Sequence, residues 1–135
     1  MKYFNLQELT YSAAANKYKI NNTPPQKVVE NLNRLVDNIL DPLREAWGEP
    51  IIVTSGFRCP ALNKKIGGAA NSQHVLGEAA DIRTVRDTKE DNRRLYEFIK
   101  SMNLPVDQCI NEHDFDWIHV SYGPRHRRSY FEIRK

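Results

Sequence analysis

Two cysteines in 135 residues, Cys59 and Cys109, lie fifty positions apart and outside any C-x-x-C spacing, so neither points to a structural zinc site built on thiolates. They read as reduced packing residues, with a disulfide between them left open. A chain of this length buries roughly two-thirds of its unfolded surface without needing disulfides. No stretch approaches the ~18 consecutive apolar residues of a membrane span, and membrane insertion is not expected. The opening MKYFNLQELTY lacks a continuous apolar core and a small-residue cleavage site, so no signal peptide is expected and export would need another route. Charge of one sign is also scarce: 20 Lys and Arg face 17 Asp and Glu, a net +3. Much of that excess collects in Arg125, His126, Arg127, Arg128, Arg134 and Lys135. A solvated terminal face is the plain reading, and attraction to an anionic polymer the functional one. The basic segment has no interleaved stacking aromatics and no DNA-binding motif beside it, which argues against nucleic acid as a partner.

What remains is an ordinary globular composition, 40% hydrophobic and 27% charged, that fits a single domain over residues 1–135, and a monomer is expected. Residues 1–22 read as a cap over the core, with a short helical turn at Leu6 to Leu9. Thr23-Pro24-Pro25 is a helix start, with Thr23 as a possible cap. Val28, Leu32, Leu35, Val36, Ile39, Leu40 and Leu43 recur at three- and four-residue spacing and predict one apolar face of a long helix, kinked or restarted near Asp41-Pro42. Gly48 and Pro50 end it, and Ile51 to Thr54 form a β-branched strand. A second helix is predicted from Asp87 or Thr88 to Met102, and strands near Cys109, over Trp117 to Tyr122 and over Tyr130 to Ile133. This order argues an α+β fold in which a small antiparallel sheet packs on helices.

The chemistry collects between Ser55 and Asp81, where Ser72 to Asp81 reads S-x-H-x-x-G-x-A-x-D. A neutral imidazole and a carboxylate are both good zinc ligands, and a catalytic zinc takes three protein ligands with one position left open. His74 and Asp81 supply two. Gly77 lets the backbone turn between a loop carrying His74 and a strand, about Ala79 to Thr84, carrying Asp81. The best third candidate is His119, in the alternating run DWIHVSY.

These pieces resemble the zinc D-alanyl-D-alanine carboxypeptidases and related murein peptidases: SGFR at Ser55 to Arg58, the turn at Gly67-Gly68, the motif ending at Asp81, and D-W-I-H at Asp116 to His119. The resemblance spans about half the chain. It implies a fold like that of the D,D-peptidases and hedgehog domains, with zinc bound at the sheet by His74, Asp81 and His119. It also implies that Asp116 is the general base, that Arg58 acts on the substrate and that Ser72 donates or accepts substrate hydrogen bonds. For Arg58 the competing reading is a structural salt bridge, and for Ser72 a local cap. Asp116 carries its own difficulty. Three residues before His119 on a straight strand, it would face the other side of the sheet, so it must sit at the strand's start and curl back toward the metal. Asp114 and Glu112 compete for the role of base, and His113 for that of an alternative ligand or supporting group.

The resemblance further implies hydrolysis of peptidoglycan stem peptides, with a D-Ala-D-Ala-type bond as first choice. Relatives with nearly the same ligands cut L-Ala-D-Glu bonds as phage or prophage lysis enzymes (endolysins), and the motif does not separate the two. A noncatalytic, zinc-stabilised cell-wall binding module is the alternative from another class. Against it stand a complete ligand set, a candidate base and small residues around Ser72 that leave the approach open.

Overall fold

The computed structural model describes residues 1–134; Lys135, counted above in the basic terminal segment, lies outside the described residues. Two short helices open the chain, α1 (Leu6–Thr10) and α2 (Ala13–Lys17). Asn5 caps α1 by accepting from the Glu8 backbone N–H at 2.8 Å, while the Glu8 carboxylate takes the Asn5 N–H at 3.1 Å, a reciprocal capping box. Phe4 and Leu9 then reach the core, and the Phe57 N–H donates to the Leu9 carbonyl at 2.8 Å. That approach requires glycine at 56, where a Cβ would collide with the Leu9 carbonyl.

The apolar stripe predicted from Val28 to Leu43 is buried throughout. It forms α3 (Gln26–Leu35), a π-helical turn at Val36–Leu40, and α4 (Asp41–Trp47). Pro42 follows the π-helical turn directly, and the backbone stays right-handed helical through Leu35, Leu40 and Asp41, so the predicted helix continues past the proline with altered hydrogen bonding. Thr23 does not cap α3; Pro25 holds that position without a side-chain hydrogen bond, and the Thr23 hydroxyl donates to Asn21 instead.

Five strands follow in the order β1-β2-β4-β3-β5: β1 (Ile51–Ser55), β2 (Ala79–Thr84), β3 (Gln108–Glu112), β4 (Trp117–Ser121) and β5 (Ser129–Ile133). Three of the four pairings are antiparallel, as expected, and β5 adds to β3 in parallel at one edge. Between β1 and β2 lie α5 (Pro60–Lys65) and α6 (Gln73–Leu76), and α7 (Lys89–Met102) joins β2 to β3, capped by Thr88. Strand alternation splits the sheet into two faces. Ala80, Ile82, Cys109, Ile118 and Val120 join Leu32, Leu35, Leu95 and Ile99 in the core. Asp81 and His119, paired with each other across β2 and β4, point the other way. Among the described residues no helix is long and apolar enough to cross a membrane. Cys59 and Cys109 are unpaired, and burial pushes the Cys109 thiol well above its ordinary range.

Candidate metal centre

His74 comes from α6, Asp81 from the middle of β2 and His119 from the middle of β4. One ligand atom from each lies within 4.8 Å of the others, and all three residues are at most 8% exposed. The antiparallel register places Asp81 directly opposite His119, so two donors meet by sheet geometry alone. His74 arrives by a different device. Ser72 caps the short α6 turn by accepting from the His74 N–H at 3.2 Å, and Gly77 closes it at φ +74°. A Cβ at Gly77 would lie 2.7 Å from Val28 Cγ1 and 2.8 Å from the Val28 carbonyl, so both the turn and its packing on α3 select glycine. His74 therefore sits on a helical turn rather than the expected loop.

The donor set fits zinc. His74 Nδ1 lies 2.7 Å from the Gly56 carbonyl oxygen, which can only accept, so Nδ1 carries the proton and Nε2 keeps its lone pair. Nε2 is 3.3 Å from Asp81 Oδ1, and His119 Nδ1 is 3.2 Å from the same oxygen. Ligand atoms about 2.0–2.1 Å from a tetrahedral ion stand roughly 3.3–3.4 Å from one another. Burial alone would raise the Asp81 carboxyl, but hydrogen bonding to His119 and His74 and their charge hold it below the usual carboxylate range.

The three residues stand in a cleft of about 540 Å³ that is also lined by Arg58, Ser72, Glu112, Trp117, Arg125 and Arg127. Arg58 is placed by its backbone N–H, which donates to the His74 carbonyl at 3.2 Å, and its Nη2 donates to Ser72 Oγ at 3.3 Å. Its Nε is buried without a hydrogen-bond partner. Desolvation lowers the pKa of this guanidinium, against the pull of the Asp81 and Glu112 carboxylates. Ser72 thus both caps α6 and faces the cleft.

Asp116 is not brought to the triad. Its carboxylate takes a hydrogen bond from Lys89 Nζ at 2.8 Å, its side chain is 53% exposed, and it does not line the cleft. The curl expected at the start of β4 does occur, through His113, Asp114 and Phe115 at φ 51°, 54° and 64°. It turns toward α7, however, where Lys89 also binds the Asp114 carbonyl and Asn92 binds the Phe115 carbonyl. Asp116 keeps the parity of Ile118 and Val120, the helix-facing side. Glu112 has the right parity instead: Ile110 pairs with His119, and Glu112 is the next residue of β3 on that face. Its Oε2 lies 3.8 Å from His119 Nδ1, and its side chain is 20% exposed. His113 packs against Trp117 with ring centroids 4.7 Å apart and takes no place in the triad.

Asp107, Arg125 and Arg127 carry no signal in the sequence that marks them as site residues. Asp107 is fully buried and accepts from Gln73 Nε2 at 2.8 Å and from Arg127 Nε, Nη2 and N at 2.8, 2.9 and 3.0 Å. Only this tertiary pairing distinguishes the two arginines from the rest of the basic terminal segment.

The Peptidase M15 family profile matches residues 2–121, a span that contains the whole triad, Arg58, Ser72 and Glu112. Over 44 residues, 32% of this chain, the sequence is 48% identical to a zinc D-Ala-D-Ala carboxypeptidase of Streptomyces albus G, and the match covers 17% of that protein. A profile match across four of the five strands, the helices and every element of the triad, joined to a donor set suited to zinc, establishes that the chain belongs to the M15 peptidase family.

Proposed function

We propose that this protein is a zinc-dependent peptidase of peptidoglycan stem peptides, with a D-Ala-D-Ala-type bond as its first substrate. The observation that carries the proposal is the buried His74–Asp81–His119 cluster opening on a cleft that holds one further carboxylate, Glu112. In this reading His74 Nε2, Asp81 and His119 Nδ1 hold the ion, and the Gly56 carbonyl fixes the His74 tautomer. Zinc at such a site supplies Lewis acidity and acidifies water toward neutral pH.

The residues of the chain do the rest. Glu112 accepts the proton of the attacking water and returns it to the leaving amine, a role usually worth ~10²–10⁴-fold in rate. Asp116, given that role by the resemblance, is the competing candidate, and its carboxylate pairs with Lys89 at the surface. Arg58 offers a fixed, permanently charged fork from the wall of the cleft to a substrate carboxylate or carbonyl oxygen. Ser72 orients Arg58 and adds a hydroxyl to the same wall.

The test is product analysis with zinc-loaded and chelated protein on three substrates: full pentapeptide stems, fragments containing L-Ala-D-Glu, and free D-Ala-D-Ala. Release of D-Ala from the stems, lost on chelation and restored by zinc, is the expected result. Cleavage confined to L-Ala-D-Glu would keep the peptidase and change its bond. Metal-dependent binding of fragments without cleavage of any would make the site a recognition module and overturn the proposal.

A further inference from the structure

The loop between β4 and β5 divides its side chains between two surfaces. Arg125 and Arg127 line the metal cleft, whereas Gly123, Pro124 and His126 line a separate groove beside Lys27 and Arg34. The loop is fastened at its end by two backbone hydrogen bonds, Arg128 N–H to the Val106 carbonyl at 3.0 Å and Ser129 N–H to the Asp107 carbonyl at 3.0 Å. Asp107 sits at its foot. Arg127 covers both carboxylate oxygens of Asp107 in a bidentate pair, which satisfies that buried charge. Arg125 is then left over. Its only ionic contact among the described residues is 3.7 Å from Asp107 Oδ2, and its side chain is 60% exposed at the cleft. Two guanidinium groups against one carboxylate leave this wall with a surplus positive charge.

Gln73 ties that charge to the catalytic geometry. Its Nε2 donates to Asp107 at 2.8 Å, and it is the residue before His74 on α6. The strut Gln73–Asp107–Arg127 therefore holds the Arg125 loop at a set place relative to the metal ligands. This loop also lies beyond residue 121, where the family match ends.

We infer that Arg125 is a specificity residue that reads a free carboxylate within the stem peptide, distinct from the group met by Arg58. The inference rests on the stem-peptide reading of the cleft. Arg58 is partly enclosed and suits the end of a substrate; Arg125, exposed at the rim, suits an acidic residue on a chain that continues out of the cleft. The D-glutamyl residue of a stem peptide supplies such a carboxylate, and its carboxamide form removes the charge while preserving the shape.

The test compares two stem peptides that differ only in carboxylate or carboxamide at the D-glutamyl residue. Their affinities are measured by calorimetry on zinc-loaded Glu112→Gln protein, so that substrate is not consumed, with and without Arg125→Gln. Turnover of the same pair is measured on the otherwise unaltered enzyme. Because Arg125 makes no close pair, its replacement leaves the fold intact. The expected result is about 5–10-fold tighter binding of the acid when Arg125 is present, falling to about equal affinity in Arg125→Gln. Equal binding of acid and amide with Arg125 in place, persistence of the ratio without it, or no binding of either peptide would overturn the inference. Peptides bound with the expected ratio but never cut would remove the peptidase reading and leave this one standing; peptides cut without preference for the acid would do the reverse.

Discussion

Replacing Glu112 by Gln keeps the side chain's size and its place beside His119 but removes the group that can accept a proton. The carboxylate is 20% exposed and 3.8 Å from His119 Nδ1, on the strand face that carries the triad. Loss of a general base of this kind costs ~10²–10⁴-fold in rate, or roughly 3–5 kcal/mol of barrier. The loss should fall on kcat, with KM moving little, because substrate contacts through Arg58 are untouched. Asp116→Asn is the matched control. Its carboxylate is 53% exposed and paired to a Lys89 side chain that is 57% exposed, so the substitution should change stability by no more than ~1 kcal/mol and kcat by less than about threefold. Steady-state kinetics on a stem pentapeptide, with zinc content measured on each variant, separates the two. If Asp116→Asn abolished turnover at full zinc occupancy while Glu112→Gln retained it, the parity argument that assigns the base would be refuted.

Asp107→Asn should destabilise the fold by about 1–2 kcal/mol in urea unfolding, because the charge-assisted bonds from Arg127 become ordinary ones while the freed arginine stays in contact with water. The Arg127 hydrogen bonds, opposed by burial, hold the Asp107 carboxyl below the usual range, so its contribution is full above the unfolded pKa of about 3.9 and drains as pH falls below it. The substitution should accordingly flatten the loss of stability below about pH 4; an unchanged acid profile would contradict this. Gly77→Ala must accommodate φ +74° and a Cβ 2.7 Å from Val28 Cγ1, and is expected to cost about 1–3 kcal/mol and to weaken zinc retention, as read by thermal unfolding and metal analysis. His119→Ala should lose zinc retention while remaining folded by circular dichroism, since His119 lies on the sheet face opposite the core.

Much of the fold could be read from local pattern. The stripe from Val28 to Leu43 announced its helix because one apolar face recurs at helical spacing, and Pro42 marked the place just before which the π-helical turn gives way to α4. His74, Asp81 and His119 were legible as candidates because residue type and resemblance coincide, and their assembly within 4.8 Å follows from the β2–β4 register and the α6 turn. The proposed base was less legible. A three-residue spacing from Asp116 to His119 suited the resemblance, yet strand alternation already opposed it, and three successive positive-φ residues send the turn toward α7. Glu112 lies seven positions from His119 in sequence and becomes its neighbour only once β3 pairs with β4. Asp107 and Arg127, twenty positions apart, carry no local signal at all, because a buried ion pair is a product of tertiary packing. The parallel pairing of β5 with β3 is hidden for the same reason.

The most direct test of the central claim is stepwise zinc reconstitution of the chelated protein, with product release from a stem peptide followed at each step. The account predicts no turnover without metal, a linear rise to one zinc per chain, and a plateau thereafter. Turnover that is indifferent to chelation, or full occupancy by zinc without hydrolysis of any stem-peptide bond, would contradict it.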